Sequence, residues 1–287
     1  MTSATSTQWA RLLKNQGNWV GSFTQVSPTG EILQDTPSEV ALIPLNEGNT
    51  MRQEIRKFSP GQPPSETVLE YSSLGRGVLF FETGAFSQGS IQRSPVSEFG
   101  AELGLIYSSE RLRVAQIFPR QPTLGSLTLI REHLAGTEPT PRPALTVDEL
   151  IGIWVGEATT VFPDWQPQQS MATRLEIQRE GDGLRPVYNQ RNLTQTLTFG
   201  NSPAIQSQGR LAGSTLRFEQ GSQPVTVLLL PGGASATFPT EVQSGQPLFL
   251  EAGWLITPTL RQRLIRTYSA QGTWESLTLV TEQKTSA

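Results

Sequence analysis

Four arginines come in two pairs with the same spacing, Arg111 with Arg113 and Arg261 with Arg263. Residues two apart on a β-strand point to one face, so each pair presents two guanidinium groups together. A guanidinium holds a carboxylate through two parallel hydrogen bonds. Glu102 and Glu251 recur ahead of the two pairs. Each either faces solvent, pairs with an inward arginine or accepts hydrogen bonds from a ligand. A buried carboxylate has to be paired or it shifts its pKa. Other chemistry lacks its parts. The absence of Cys excludes disulfides, zinc–thiolate sites and a thiol nucleophile. His133 is the single histidine, so no multi-histidine metal site forms and no Ser-His-Asp order can be defended. No phosphate-binding glycine loop or dinucleotide fingerprint occurs. Glu102 and Glu251 fall in different halves of the chain, which disqualifies them as a glycosidase pair. No catalytic residue and no metal ligand is assigned.

The elements that must position these residues are written twice. Gly17-Asn18-Trp19-Val20-Gly21 near the start matches Gly152-Ile153-Trp154-Val155-Gly156, 135 residues later. Each motif follows a helical signal: Trp9, Leu12 and Leu13 behind Ser6 or Thr7 in the first copy, and the capping box Thr146-Val147-Asp148-Glu149 in the second. Further on, Glu102-Leu103-Gly104-Leu105-Ile106 matches Glu251-Ala252-Gly253-Trp254-Leu255, and Arg111-Leu112-Arg113-Val114 matches Arg261-Gln262-Arg263-Leu264. Phe118 matches Tyr268, and Ser126 to Glu132 matches Ser276 to Glu282. The second copy therefore carries about 15 extra residues, expected in loops. Between the copies, Gly136 to Pro143 holds three Pro and a Gly, the composition of a linker. The division is residues 1–136, a linker at 137–143, and residues 144–287. Short runs such as Glu39 to Leu45, Thr67 to Ser72, Ser214 to Glu219 and Val225 to Leu230 read as strands, punctuated by Gly, Pro, Asn and Ser. Eight to ten such strands per copy make a sandwich or a barrel. Asp182 reads as a turn residue and Trp165 as a loop aromatic that lids a barrel or packs between barrels.

A short helix leading into Gly-x-Trp and a first strand resembles the lipocalin (calycin) signature, in which the Trp plugs the closed end of the barrel. Here the motif occurs twice. The segment from Gly253 to Arg263, with an aromatic strand, the Pro258 turn and Leu260-Arg261-Gln262-Arg263, resembles the calycin-fold bilin (phycobiliprotein) lyases of cyanobacteria. Copy one keeps Ser108, Ser109, Arg111 and Arg113 but has no Pro in the turn. The doubled architecture resembles a cyanobacterial family of tandem lipocalin-like proteins of unknown function. The fold implied is all-β: two tandem lipocalin-like antiparallel β-barrels, each opened by a short N-terminal helix.

The resemblance implies non-covalent binding of a hydrophobic, carboxylate-bearing small molecule, with a linear tetrapyrrole (a bilin) first, and delivery to an acceptor protein. The ligand-binding candidates are Arg261, Arg263, Glu251, Trp254 and Tyr268 in copy two, and Arg111, Arg113 and Glu102 in copy one. Trp19 and Trp154 are the structural residues of the barrel base. The arginines have a second reading, in which one lies across a base Trp ring by cation–π contact. The aromatics have one too, as core filling. Two other functions stay open: a protein-binding scaffold or assembly factor with filled barrels, and an isomerase or cyclase acting on a fatty-acid-derived or carotenoid substrate. A net charge of -3 argues against nucleic acid as a partner. No run of 18 apolar residues and no basic-then-apolar start occurs, so a cytoplasmic chain without a membrane span is expected.

Overall fold

The structure is a computed structural model that describes residues 6–94, 96–164, 166–179, 191–221 and 223–285. Trp165 and Asp182 lie outside the described residues. The chain is all-β, in two barrel-like domains each opened by a short helix. Helix α1 (Gln8–Leu12) is capped by the Thr7 hydroxyl, which accepts from the Ala10 N–H at 3.1 Å. It leads into β1 (Gly17–Val26), β2 (Ile32–Leu45), β3 (Thr50–Lys57), β4 (Ser65–Tyr71) and β5 (Val78–Phe80). Strands β6 (Phe86–Gly89), β7 (Phe99–Tyr107), β8 (Glu110–Phe118) and β9 (Ser126–Leu134) complete the first sheet. Its nine strands run β4-β3-β2-β1-β9-β8-β7-β6-β5, so β4 and β5 are edges and the sheet curls without closing.

The second domain begins with α2 (Val147–Leu150), whose capping box joins Thr146 and Glu149 reciprocally. Ten strands follow: β10 (Gly152–Val161), β11 (Gln169–Arg179), β12 (Arg191–Phe199), β13 (Ile205–Ala212), β14 (Thr215–Phe218), β15 (Val225–Leu229), β16 (Ala234–Pro239), β17 (Leu248–Thr257), β18 (Leu260–Tyr268) and β19 (Trp274–Lys284). They close into a barrel in sequence order. Matching register positions locate much of the added length of copy two. The first copy passes from Thr67 in β4 to Val78 in β5 in 11 residues. The second passes from Ile205 in β13 to Val227 in β15 in 22. The additional residues are not merely a longer loop, because they build β14, which pairs with both β13 and β15.

Each domain has its own interior cluster, and a third cluster joins the two. Leu12, Trp19, Val40, Met51, Phe80 and Phe86 fill the first interior. Leu150, Trp154, Leu175, Leu193, Leu216 and Phe218 fill the second. The largest cluster lies between the barrels, where Phe99, Leu103, Leu105, Val114 and Phe118 meet Phe238, Leu250, Trp254, Leu264, Tyr268 and Trp274. Strand alternation explains the seam. On β8, Arg111 and Arg113 face the interior while Leu112, Val114 and Phe118 face out, and all five are buried. On β18, Arg261 and Arg263 face in while Leu264, Arg266 and Tyr268 face out. These strands carry charge inside and apolar groups outside because another barrel, not water, covers their outer face.

Candidate functional site

The Gly-x-Trp-x-Gly motif builds the base of each barrel. Trp19 Nε1 donates to Asn15 O, in the turn just after α1, and Trp154 Nε1 to Leu150 O at the end of α2, both at 2.9 Å, tying each ring back to the segment that opens its barrel. The last glycine of each motif is a packing requirement. A Cβ on Gly21 would overlap the Arg131 carbonyl oxygen, and one on Gly156 the Thr281 carbonyl oxygen. Over the two indoles lie the first arginines of the pairs, Arg111 at 4.3 Å from the Trp19 ring centroid and Arg261 at 4.9 Å from that of Trp154. The same side chains therefore reach the base rings and the carboxylates above them.

Above the base, each barrel carries two arginines and two glutamates. In the first, Glu132 is the hub. Arg111 Nε donates to it at 2.8 Å, and Arg113 binds it through Nε at 3.0 Å and Nη2 at 2.8 Å. Arg113 Nη1 also reaches Glu102 at 2.8 Å. In the second barrel the charges separate into two pairs. Arg263 clasps Glu251 through Nε at 2.9 Å and Nη2 at 2.8 Å, and Arg261 pairs with Glu282. Glu132 and Glu282 side chains are wholly buried. The electrostatics follow from that burial. Desolvation alone would raise the Glu132 carboxyl, but the charges of Arg113 and Arg111 and their hydrogen bonds outweigh it and hold it down at about 2. Burial likewise penalises Arg113 and Arg263, yet the glutamates beside them win and raise both. For Arg111 and Arg261 burial wins and pulls both down.

These quartets leave little room. The hollow inside the second barrel measures about 110 Å³ and is lined by Arg261, Arg263, Glu251, Ser235, Thr237 and Phe249 among others. That inside the first measures about 50 Å³, with Arg111, Arg113, Glu102, Gln53 and Gln88 in its wall. Within the quartets, Arg111 Nη2, Arg263 Nη1 and Glu282 Oε2 have no hydrogen-bond partner among the described residues. The structure thus brings Arg111, Arg113 and Glu102 together in one interior and Arg261, Arg263 and Glu251 in the other.

Trp254 and Tyr268 are not with them, and the expectation that they line the second pocket is corrected. Trp254 lies three residues from Glu251 on β17, and Tyr268 lies five from Arg263 on β18, so alternation turns both outward. Both are buried in the seam. Trp254 lies under Arg142 at 5.1 Å. Tyr268 meets Phe99 edge-on at 5.9 Å and donates to Ser90 O at 2.8 Å. Arg142 also binds Glu110 at 2.8 Å and Ile256 O at 2.8 Å, pinning the Pro-rich stretch across both barrels.

Sequence reasoning missed three residues. Glu132 and Glu282 sat in the matched blocks, and their signal was that both copies keep Glu there while Arg131 and His133 correspond to Thr281 and Gln283. Arg266 had no repeat to mark it. It is fully buried in the seam with no carboxylate at ion-pair distance among the described residues. It donates to Tyr268 Oη at 2.8 Å, Ser90 O at 3.0 Å, and Gly77 O and Ser87 Oγ at 3.2 Å, and stacks 3.5 Å from the Trp274 ring centroid. His133 is half-buried on β9 beside the Pro-rich stretch, in a cleft of about 370 Å³. Among the described residues no His/Asp/Glu cluster could hold a metal ion, and no helix is long and apolar enough to cross a membrane.

Comparison with known proteins agrees with the doubled architecture. Residues 5–137 match the N-terminal domain profile of DUF3598, a domain of unknown function. Residues 141–285 match the profile described as biogenesis factor required for ATP synthase 1, C-terminal domain. A DUF3598 protein of unknown function from Nostoc punctiforme PCC 73102 is 45% identical, with a TM-score of 0.90, over 98% of this chain and 100% of its own. The S-type phycobiliprotein lyase CpeS from Guillardia theta is 11% identical over 49% of this chain and 90% of its own, with a TM-score of 0.37. Kievitone hydratase from Nectria haematococca is 9% identical over 99% of this chain and 94% of its own, at 0.23. Overlaps that low carry nothing about activity. No curated protein matches the chain. With 45% identity to the Nostoc protein over nearly its whole length and a DUF3598 profile across its first half, the chain belongs to the DUF3598 family.

Proposed function

We propose that this protein is an assembly scaffold, which works by holding a protein partner and neither carries nor converts a small molecule. The internal neutrality of both barrels carries this reading. Each interior sets two arginines against two glutamates, so a ligand carboxylate would have to compete with a glutamate already bound to each guanidinium. Breaking such a buried pair costs roughly 3–5 kcal/mol. Size argues the same way. Drug-sized ligands occupy pockets of roughly 300–1,000 Å³, against about 110 and 50 Å³ inside the two barrels. The description attached to residues 141–285, a biogenesis factor required for ATP synthase, makes an ATP synthase subunit the first partner to try.

The bilin-delivery reading is favoured by the unpartnered guanidinium nitrogens Arg263 Nη1, in the wall of the second interior, and Arg111 Nη2, in that of the first. An isomerase or cyclase on a fatty-acid-derived or carotenoid substrate would need a long apolar pocket, and neither charged interior offers one. The test has two arms on the same purified chain. In one, a linear tetrapyrrole is titrated and visible absorption recorded. In the other, purified ATP synthase subunits are co-chromatographed. The scaffold reading expects an unchanged pigment spectrum and co-elution with a subunit. A shifted, saturable pigment spectrum, weakened by Arg263→Ala while the far-UV spectrum holds, overturns it.

A further inference from the structure

We propose that β4 is the seat for an extended segment of the protein partner, which adds to the first sheet as its next strand; this rests on the scaffold reading above. The second barrel shows what the first lacks. There β14 bridges β13 and β15, and its Leu216 and Phe218 turn inward and are buried. The first copy joins β4 to β5 with no such strand. The consequence is visible on Leu69. It pairs in register with Gln53, which lines the interior, so Leu69 faces inward too, yet it is 49% exposed. An inward apolar side chain half in water marks an uncovered seat.

The two edges of the sheet are treated differently. At β5 the edge is already used: Phe80 N donates to Gln8 Oε1 at 2.7 Å, and Phe80 O accepts from Gln8 Nε2 and Arg11 Nη1, each at 3.1 Å. The Gln8 amide mimics a neighbouring strand there. At β4 no described residue bonds the outward backbone groups along all seven residues. A free edge of that length is a template for β-augmentation, in which main-chain bonds give affinity and alternate side chains give specificity.

The second barrel shows what the occupant looks like. The outward face of β4 carries Glu66, Val68 and Glu70, and the two glutamates already pair across the sheet with Arg56 at 3.0 Å and Arg52 at 2.9 Å, so this face carries no unbalanced charge. A second copy of this chain pairing antiparallel about Val68 would set Glu66 against Glu70 twice, and like charges directly opposed are destabilising. The fitting occupant is an extended partner strand with apolar residues at inward positions, covering Leu69 and Tyr71. This chain's own β14 has that design, with Leu216 and Phe218 inward over the equivalent seat of the second barrel.

The test uses the intact chain and a synthetic peptide of residues 213–220 as the probe. Hydrogen–deuterium exchange is followed along β4. At ten times its Kd the peptide should slow exchange of the outward β4 amides about tenfold. The same peptide with Leu216→Ser and Phe218→Ser should leave them unchanged. Unchanged β4 exchange at about 1 mM peptide, where even a weak complex of about 4 kcal/mol would be half-formed, overturns the proposal. So does protection that rises with protein concentration without peptide, which would make the occupant a second copy. Either result leaves the scaffold reading to the pigment and co-elution arms, which do not involve β4.

Discussion

Glu132→Gln is the most informative single change, because two independent routes give its cost. The substitution keeps the shape of a wholly buried side chain and removes the charge that Arg111 and Arg113 share. From electrostatics, the guanidinium groups of Arg113 and Arg111 outweigh burial and hold the carboxyl down from its ordinary 4.5 to about 2 in the folded chain. At about 1.4 kcal/mol per pH unit this is about 3 kcal/mol of stability at neutral pH. From geometry, taking one partner from a buried ion pair costs roughly 3–5 kcal/mol. The sign is fixed by the direction of the shift. A carboxyl whose folded pKa is depressed contributes fully above its unfolded value and loses that contribution as pH falls toward the folded one. The parent and Glu132→Gln should therefore differ by about 3 kcal/mol at pH 7, by about half of that at pH 3, and by little near pH 2. Urea unfolding of both chains at stepped pH measures this directly. A difference below about 1 kcal/mol at pH 7, or one that does not change with pH, would refute the hub role of Glu132.

Two further changes test the base and the seam. Gly21→Ala and Gly156→Ala should each cost about 3 kcal/mol or more, because a Cβ meets a backbone carbonyl that cannot move aside; thermal unfolding with a shift of under 1 °C would contradict the close approach. Arg266→Leu should cost about 2–4 kcal/mol by removing four hydrogen bonds and the stack on Trp274, and should split denaturant unfolding into two phases as the barrels uncouple; a single transition at the parent midpoint would deny Arg266 that role.

Much of the fold was legible because it was written twice. The Gly-x-Trp-x-Gly motifs, the arginine pairs and the glutamates ahead of them held their order, and each copy reads as strands punctuated by turn residues. The seam was not legible. β8 and β18 bury both faces, and apolar periodicity says only that a face is covered, not whether a barrel interior or a neighbouring barrel covers it. That is why Trp254 and Tyr268 passed for pocket residues. Counting parity from Glu251 and Arg263 would have put them on the other side. The quartets were half-legible: the arginines announced themselves, but their partners Glu132 and Glu282 come from β9 and β19, and only the register across strands brings them together.

The duplication also shows where function and stability part. Base, quartet and seam serve both barrels alike, with an indole under an arginine and two carboxylates above it in each. Those shared parts neutralise the interiors and hold two barrels as one body, which is structural work. What differs between the copies cannot be required for that work. The clearest difference is β14, present in the barrel that closes and missing from the sheet that does not. An edge strand left free is a liability that proteins usually blunt with charge, short length or cover. This chain covers β5 with Gln8 and Arg11 and leaves all seven residues of β4 uncovered among the described residues. The side of the molecule that departs from its own template is thus the side on which a partner strand is expected.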